Sequence, residues 1–333
     1  MSTPRSGSAF YQWVGPVLRA SLALVVIVLL GAIFHADGAF YEWSTHRDML
    51  RQVSVYGILA CGMTLVIITA GIDLSVGSVL GLVAVLFSIL TIHWGWPALI
   101  AVPVCMLAGA VCGAASGGLI ARYNLQPFIV TLAMMVFARG LAKSISGGQK
   151  MSTYIQAEDG SFESLPLPGV FKFLDSRILG GNIAVVTLVF LACVLVSWVL
   201  LTRLRAGRYL YAVGGNETAA RLSGVPVGRL KILAYGMSGL FAAVAGMCQA
   251  AQETQGDPEA GATYELTAIA IVVIGGTNLM GGQGGVLLTL LGALTIGYLE
   301  KILSLNAVGE ASRLMLTGGI IVAAVLLQRR RTP

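Results

Sequence analysis

Residues 53–92, VSVYGILACGMTLVIITAGIDLSVGSVLGLVAVLFSILTI, hold two apolar runs, 53–70 and 75–92, parted by a short break around Asp73. Each run approaches the ~20 residues a helix needs to cross a bilayer. Eight more apolar runs lie at 17–34, 97–121, 127–146, 182–202, 232–251, 265–275, 286–303 and 313–327. The pattern predicts an all-α, polytopic membrane protein with about ten transmembrane helices, an internal pseudo-repeat and discontinuous helices. Composition agrees: of 333 residues 56% are hydrophobic and 11% charged, and mean hydropathy is +0.84. A soluble domain could not keep that much apolar surface from aggregating, so lipid is the expected solvent. The run 265–275 is too short to span alone; it is either a half-helix or continues through the Gly-rich stretch behind it. A small-residue site at Ala36–Ala39 weakly suggests a cleaved signal peptide, but Arg19 interrupts the first run and the chain keeps spanning beyond it.

Charge sorts by side. With ten spans and an inner N-terminus, the inner segments carry Arg5, Arg19, Arg122, six bases in 203–231 and Arg329, Arg330 and Arg331, against one acid, Glu217. The outer segments carry eight bases and thirteen acids. The positive-inside rule therefore predicts cytoplasmic termini and a cytoplasmic 203–231 loop. A basic pI of about 9.2 reflects this sorting and not a nucleic-acid surface. Two outer loops are conspicuous. Residues 147–181, stiffened by Pro166 and Pro168 and carrying Tyr154, Phe162, Phe171 and Phe173, are the longest polar excursion; 252–265 carries four acids and no base. Each reads either as a solvated connector or as a docking surface for an external partner.

The stretch 203–231, RLRAGRYLYAVGGNETAARLSGVPVGRLK, encloses a short helix with its own punctuation. Asn216 supplies an N-cap and Glu217 an acid in the first turn. Arg221 falls near the other end, Gly224 offers the left-handed C′ residue and Pro226 forbids continuation. A separately capped helix outside the apolar runs is built to be touched. The flanking bases are expected only to fix topology and meet lipid head groups.

Two breaks share one pattern, G-x-[DN]-L-x-x-G: Gly71–Gly77 (GIDLSVG) and Gly276–Gly282 (GTNLMGG). They suggest an internal repeat, parallel or inverted. Asp73 or Ser75 can cap the helix starting near Val76, and Asn278 a helix near its counterpart. Breaks at membrane depth survive only when buried in protein or lining a cavity. Asp73, Ser75, Asn278 and Gly282 are thus either structural caps in tight helix contacts or the wall of a translocation pathway, and the two readings are compatible. Arg139 and the Glu300–Lys301 pair are the remaining ionisable groups in or near spans; with Lys143 one turn beyond Arg139, snorkelling to the interface is expected for both. Gly109, Gly113 and Gly117 recur every four residues, a packing seam within the chain or between chains.

Several chemistries find no support. There is no GxxxxGK[ST] motif, and Gly147–Lys150 lacks its spacing. The Gly-rich run 275–285 follows no soluble strand. His35, His46 and His93 are scattered, the five cysteines sit in apolar runs without CxxC spacing, and no nucleophile–base set appears. No cofactor, metal or catalytic residue is expected. Asp73 alone is a thin site for proton coupling, so energy for uphill movement would arrive from another protein.

Residues 62–82, 126–142, 211–227 and 270–294 resemble, in order and topology, the permease subunits of bacterial ATP-binding-cassette sugar importers of the ribose type, related to branched-chain amino-acid permeases. The resemblance covers roughly residues 50–300. It implies one transmembrane permease domain, 1–333, with a cytoplasmic tail at 1–16, an outer loop at 147–181, a coupling loop at 203–231 and a basic tail at 328–333. It implies pairing with a second permease copy or paralogue, with an ATPase subunit on the cytoplasmic side and with a periplasmic or extracellular solute-binding protein, in the inner membrane. Segment 216–224, NETAARLSG, is similar to the loop whose short helix docks into the ATPase; Asn216, Glu217, Ala220, Arg221 and Gly224 are the expected contacts. Ser116 stands where such permeases often have Asn. The implied function is import of a sugar or sugar-like solute; a stand-alone secondary carrier and a non-transporting scaffold are the alternatives.

Overall fold

The computed structural model describes residues 7–156 and 162–309 together with 311–313, 315, 316, 318, 319 and 322. Arg5, the loop acids Glu158 and Asp159, most of the run 313–327 and the Arg329–Arg331 tail lie outside the described residues. Among the described residues the fold is all-α apart from two small hairpins. Helices α1 (Gly7–Ile33), α2 (Trp43–Ile68), α3 (Val76–Ser88, prolonged by one π turn to His93), α4 (Ala98–Tyr123) and α5 (Pro127–Ser146) come first. Hairpin β1–β2 (Tyr154–Gln156, Phe162–Ser164), α6 (Gly169–Asp175) and hairpin β3–β4 (Arg177–Ile178, Ile183–Ala184) follow. The rest is α7 (Val185–Thr202), α8 (Arg205–Gly215), α9 (Glu217–Leu222), α10 (Val227–Glu253), α11 (Tyr264–Gly275) and α12 (Val286–Leu305).

Seven of these, α2, α3 with its π turn, α4, α5, α7, α10 and α12, are long and apolar enough to cross a membrane; Val17–Ile33 and α11 are shorter. In α2 and α3, 83% of the apolar window is buried, against 22% in α4 and α5. The first pair is therefore core, and the second turns most of its surface outward. α10 is the hub, packed along α4, α2 and α3. The glycine seam closes inside the chain: a side chain at Gly109, Gly113 or Gly117 would meet the α10 backbone at Gly239, Tyr235 or Ile232. Backbone contact of this kind is what small residues provide where lipid offers no hydrophobic drive.

Within the excursion 147–181, the α6 segment and the strand after it are folded back on the bundle. Phe171 of α6 is fully buried and stacks on Phe87 of α3 at 4.9 Å, while Arg51 pairs with Asp175 and Asp48 with Arg177. These contacts mark one end of the bundle, and α9 lies at the other.

The short run at 265–275 is a half-helix. α11 has 12 residues, about 18 Å of helix against a ~30 Å hydrocarbon core. It ends at Gly275 and does not continue through the glycines, because Gly276 turns it with φ 102°. Its start lies deep. After α10 ends at Glu253, residues 254–263 turn back until Gly261 packs on Gly77 in the first turn of α3.

Candidate coupling and translocation site

The α9 helix forms as its local sequence dictates. Asn216 adopts an extended backbone and its Oδ1 accepts from the Ala219 N–H at 2.9 Å. At the other end Gly224 has φ +79°; its N–H donates to Arg221, and that of Val225 to Ala220, the two bonds of a Schellman cap. Ala220 is the buried face of the helix, whereas Leu222 is 85% exposed. Glu217 holds α9 to the bundle. Its carboxylate takes Arg221 at 2.9 Å and Lys231 of α10 at 2.8 Å. Partial burial alone would raise its carboxyl, but the Lys231 and Arg221 charges outweigh burial and hold it below its usual range. The double pair is thus formed at neutral pH and is lost only as pH falls through that lowered value. Lys231 therefore does more than the topological work expected of the basic flanks.

Behind α9, helix α8 reaches both breaks. A side chain at Gly214 would collide with the Ile68 carbonyl and the Gly282 N–H. Those two groups bond each other at 2.9 Å. Tyr211 also donates its hydroxyl to the Gly284 carbonyl at 2.9 Å. The residues before the first break, the glycines of the second and the C-terminal end of α8 thus meet at one point. Gly214, Tyr211 and Lys231 were not singled out from sequence; the Gly214–Gly215 pair directly before Asn216 is the signal that marks the spot.

Both breaks build the same turn. Asp73 Oδ1 accepts from the Ser75 N–H, and Asn278 Oδ1 from the Met280 N–H, each at 3.0 Å. These are Asx turns at equivalent motif positions. In both, the helix before the break (α2 or α11) runs toward the α9 end and the helix after it (α3 or α12) runs away, so the two units are parallel. Neither polar residue is a helix cap. The N-cap position of α3 is Ser75, which makes no side-chain cap bond, and that of α12 is Gly285, beyond Asn278. The glycines at 281, 282, 284 and 285 delay the second helix until Val286.

Asp73 is 1% exposed and its partners are complete: Ser75 Oγ at 2.6 Å on Oδ1 and Ser238 Oγ at 2.8 Å on Oδ2. Ser238 lies eleven residues into α10, so the break sits ~17 Å along that helix, near the middle of the bundle. Asp73→Ala leaves three buried donors without their acceptor, each worth about 1–3 kcal/mol. The variant should unfold at clearly lower temperature in detergent than Asp73→Asn, which retains an acceptor oxygen. Equal melting of the two would show that these bonds do not hold the break.

On the α9 side of the break a cavity of about 400 Å³ is lined by Thr69 at the end of α2, Gly71 at the start of the first break, Asn124 and Gln126 at the α4–α5 corner, and the α9 cap Asn216 with Glu217. Asp73, Ser75, Asn278 and Gly282 do not line it.

A polytopic helical bundle suits a transport permease, and sequence comparison shows the family. Residues 46–325 match the model of the family described as branched-chain amino acid transport system / permease component, and the chain belongs to that family. It is 39% identical over 309 residues to the ribose import permease protein RbsC of Escherichia coli (strain K12), covering 92% of each chain. It is 36% identical to the fructose import permease protein FrcC of Rhizobium meliloti, covering 93% of this chain and 85% of that one. The xylose transport system permease protein XylH of Escherichia coli (strain K12) is 32% identical, with 91% and 89% covered. No solved structure matches the chain.

Proposed function

We propose that this chain is the membrane-spanning subunit of an ATP-driven importer that passes a sugar or sugar-like solute from an external binding protein into the cytoplasm. The observation that carries the reading is α9: a helix capped at both ends, tied to the bundle by Glu217 and presenting Leu222 outward, with α8 joining it to both breaks. An ATPase subunit that grips α9 moves α8, and α8 moves the two breaks together. Asn216, Glu217, Ala220, Arg221 and Gly224 build the coupling helix; Asp73, Ser75, Asn278 and Gly282 set the shape of the route. The solute class follows the relatives, whose names specify ribose, fructose and xylose. The sorting of bases and acids supports an inner-membrane orientation with α9 in the cytoplasm and the α6 end outside, where the binding protein docks. The outward apolar faces of α4 and α5 suit lipid and a second permease copy or paralogue.

Proteoliposomes containing the chain test this, with ribose, fructose and xylose supplied in turn. Uptake of at least one is expected when ATPase, binding protein and ATP are all present, and none without the ATPase. Uptake by the chain alone on an ion gradient would establish a secondary carrier instead. No uptake of any of the three by the complete assembly would reject the sugar assignment.

A further inference from the structure

Arg139 has no part in the coupling just described, yet it does not snorkel. From α5 its Nη1 turns inward and donates to the carbonyls of Pro258 and Ala260, the latter at 2.8 Å. The rest of the same segment is tied to the same helix and its continuation. Lys143, one turn on, pairs with Glu259 at 2.5 Å, and Lys150 pairs with Asp257 at 2.9 Å. The backbones of Met151 and Gly256 bond each other in both directions, at 2.8 and 2.9 Å.

Opposite α5, the segment rests on glycines of α3. A side chain at Gly81 would lie 2.7 Å from both Arg139 Nη1 and the Ala260 carbonyl, and one at Gly77 would strike the Gly261 carbonyl. Residues 256–261 therefore occupy a slot between α3 and α5, backbone against backbone on one side and polar links on the other. Between 256 and 261 the apolar side chains are only Pro258 and Ala260, so release of this segment exposes little apolar surface. Its place matters too. Gly77 is two residues past the Asp73–Ser75 turn, and the 400 Å³ cavity opens just before that turn, at Thr69–Gly71. A solute travelling from the α6 end to the cavity must pass the level at which this segment sits.

We propose that residues 254–263, which lead into the buried half-helix α11, are the outer closure of the translocation route, and that Arg139 is the positioning residue that keeps it shut. The proposal rests on the transport reading above. An open route would let ATP be hydrolysed without net import, so the signature of a lost clasp is poor coupling and not a lost assembly.

The test compares wild type, Arg139→Gln and Arg139→Lys in the complete reconstituted transporter. Solute moved per ATP hydrolysed is measured beside amide hydrogen exchange across 254–275, with ribose, fructose and xylose as probes. Arg139→Gln should assemble and hydrolyse ATP yet move about tenfold less solute per ATP, within the usual span of coupling between sites. Exchange across 256–266 should quicken by a similar factor of about ten, as expected for local release of a segment. Arg139→Lys, which keeps a donor and the charge, should fall between. Unchanged solute per ATP in Arg139→Gln overturns the proposal, as does a parallel loss of uptake and hydrolysis with unaltered exchange. If Arg139→Gln does not assemble, the Lys143→Gln/Lys150→Gln pair decides. It loosens the surface links alone and should lower solute per ATP about twofold or more, and an unchanged ratio rejects the closure. ATP-independent uptake by the wild type in the same vesicles would instead count against the ATP-driven reading itself.

Discussion

Glu217→Lys is expected to reduce ATP-driven uptake to the level of vesicles lacking the chain, while the protein still inserts in normal amount. The carboxylate is the sole acid between Arg221 and Lys231, and both cations bond to it. Reversing its charge sets three cations side by side at the N-terminal end of α9, where the helix dipole also disfavours positive charge. The helix then leaves its seat, and motion of a docked ATPase no longer reaches α8. Gly224→Pro should act the same way, since proline fixes φ near −65° and Gly224 stands at +79°. The apolar spans are untouched in both, which is why insertion survives. Uptake assays normalised to membrane-inserted protein decide: near-normal transport in both variants would remove α9 from the coupling path.

Gly113→Leu should fail at an earlier stage and leave little folded protein in the membrane. Even a Cβ at this position falls on the Tyr235 carbonyl and within 2.8 Å of its carbon. Overpacking a core by side chains costs about 1–3 kcal/mol, and here the obstacle is backbone, which cannot rotate away. The α4–α10 contact, the most extensive in the bundle, would have to open along its length. Gly118 lies on the same helix with nothing near it. Gly118→Ala should therefore be neutral or gain up to about 1 kcal/mol from helix propensity. Thermal unfolding of purified variants reads the contrast; similar stability of Gly113→Ala and Gly118→Ala would contradict the seam.

The features that were legible in the sequence are those set by short-range chemistry. Apolar runs of span length gave α2, α3, α4, α5, α7, α10 and α12, because lipid forces backbone polar groups to pair within a helix. Asn216, Glu217 and Gly224 announced α9 because a cap acts over three residues and a left-handed stop over one. What escaped was set by partners far along the chain. Ser238, which completes Asp73, is 165 residues away from it. Asn278 looked like a helix cap, yet four glycines defer the next helix and leave it an Asx turn. Arg139 looked like an interfacial cation because sequence gives depth along a helix but not which carbonyls return to meet it. For the same reason residues 252–265 read as a polar loop, although they carry the start of α11 to the middle of the bundle.

The central claim, that α9 is the face gripped by the ATPase, is tested most directly by cross-linking from Leu222. A Leu222→Cys chain is assembled with the ATPase subunit and binding protein, and treated with a short bifunctional thiol–amine reagent. The parent chain, whose own cysteines are buried or half-buried, serves as control. The account predicts a covalent permease–ATPase product for Leu222→Cys and none for the parent. An actively transporting assembly that yields no such product, or a Leu222→Cys thiol labelled by an impermeant reagent from the binding-protein side, would contradict it.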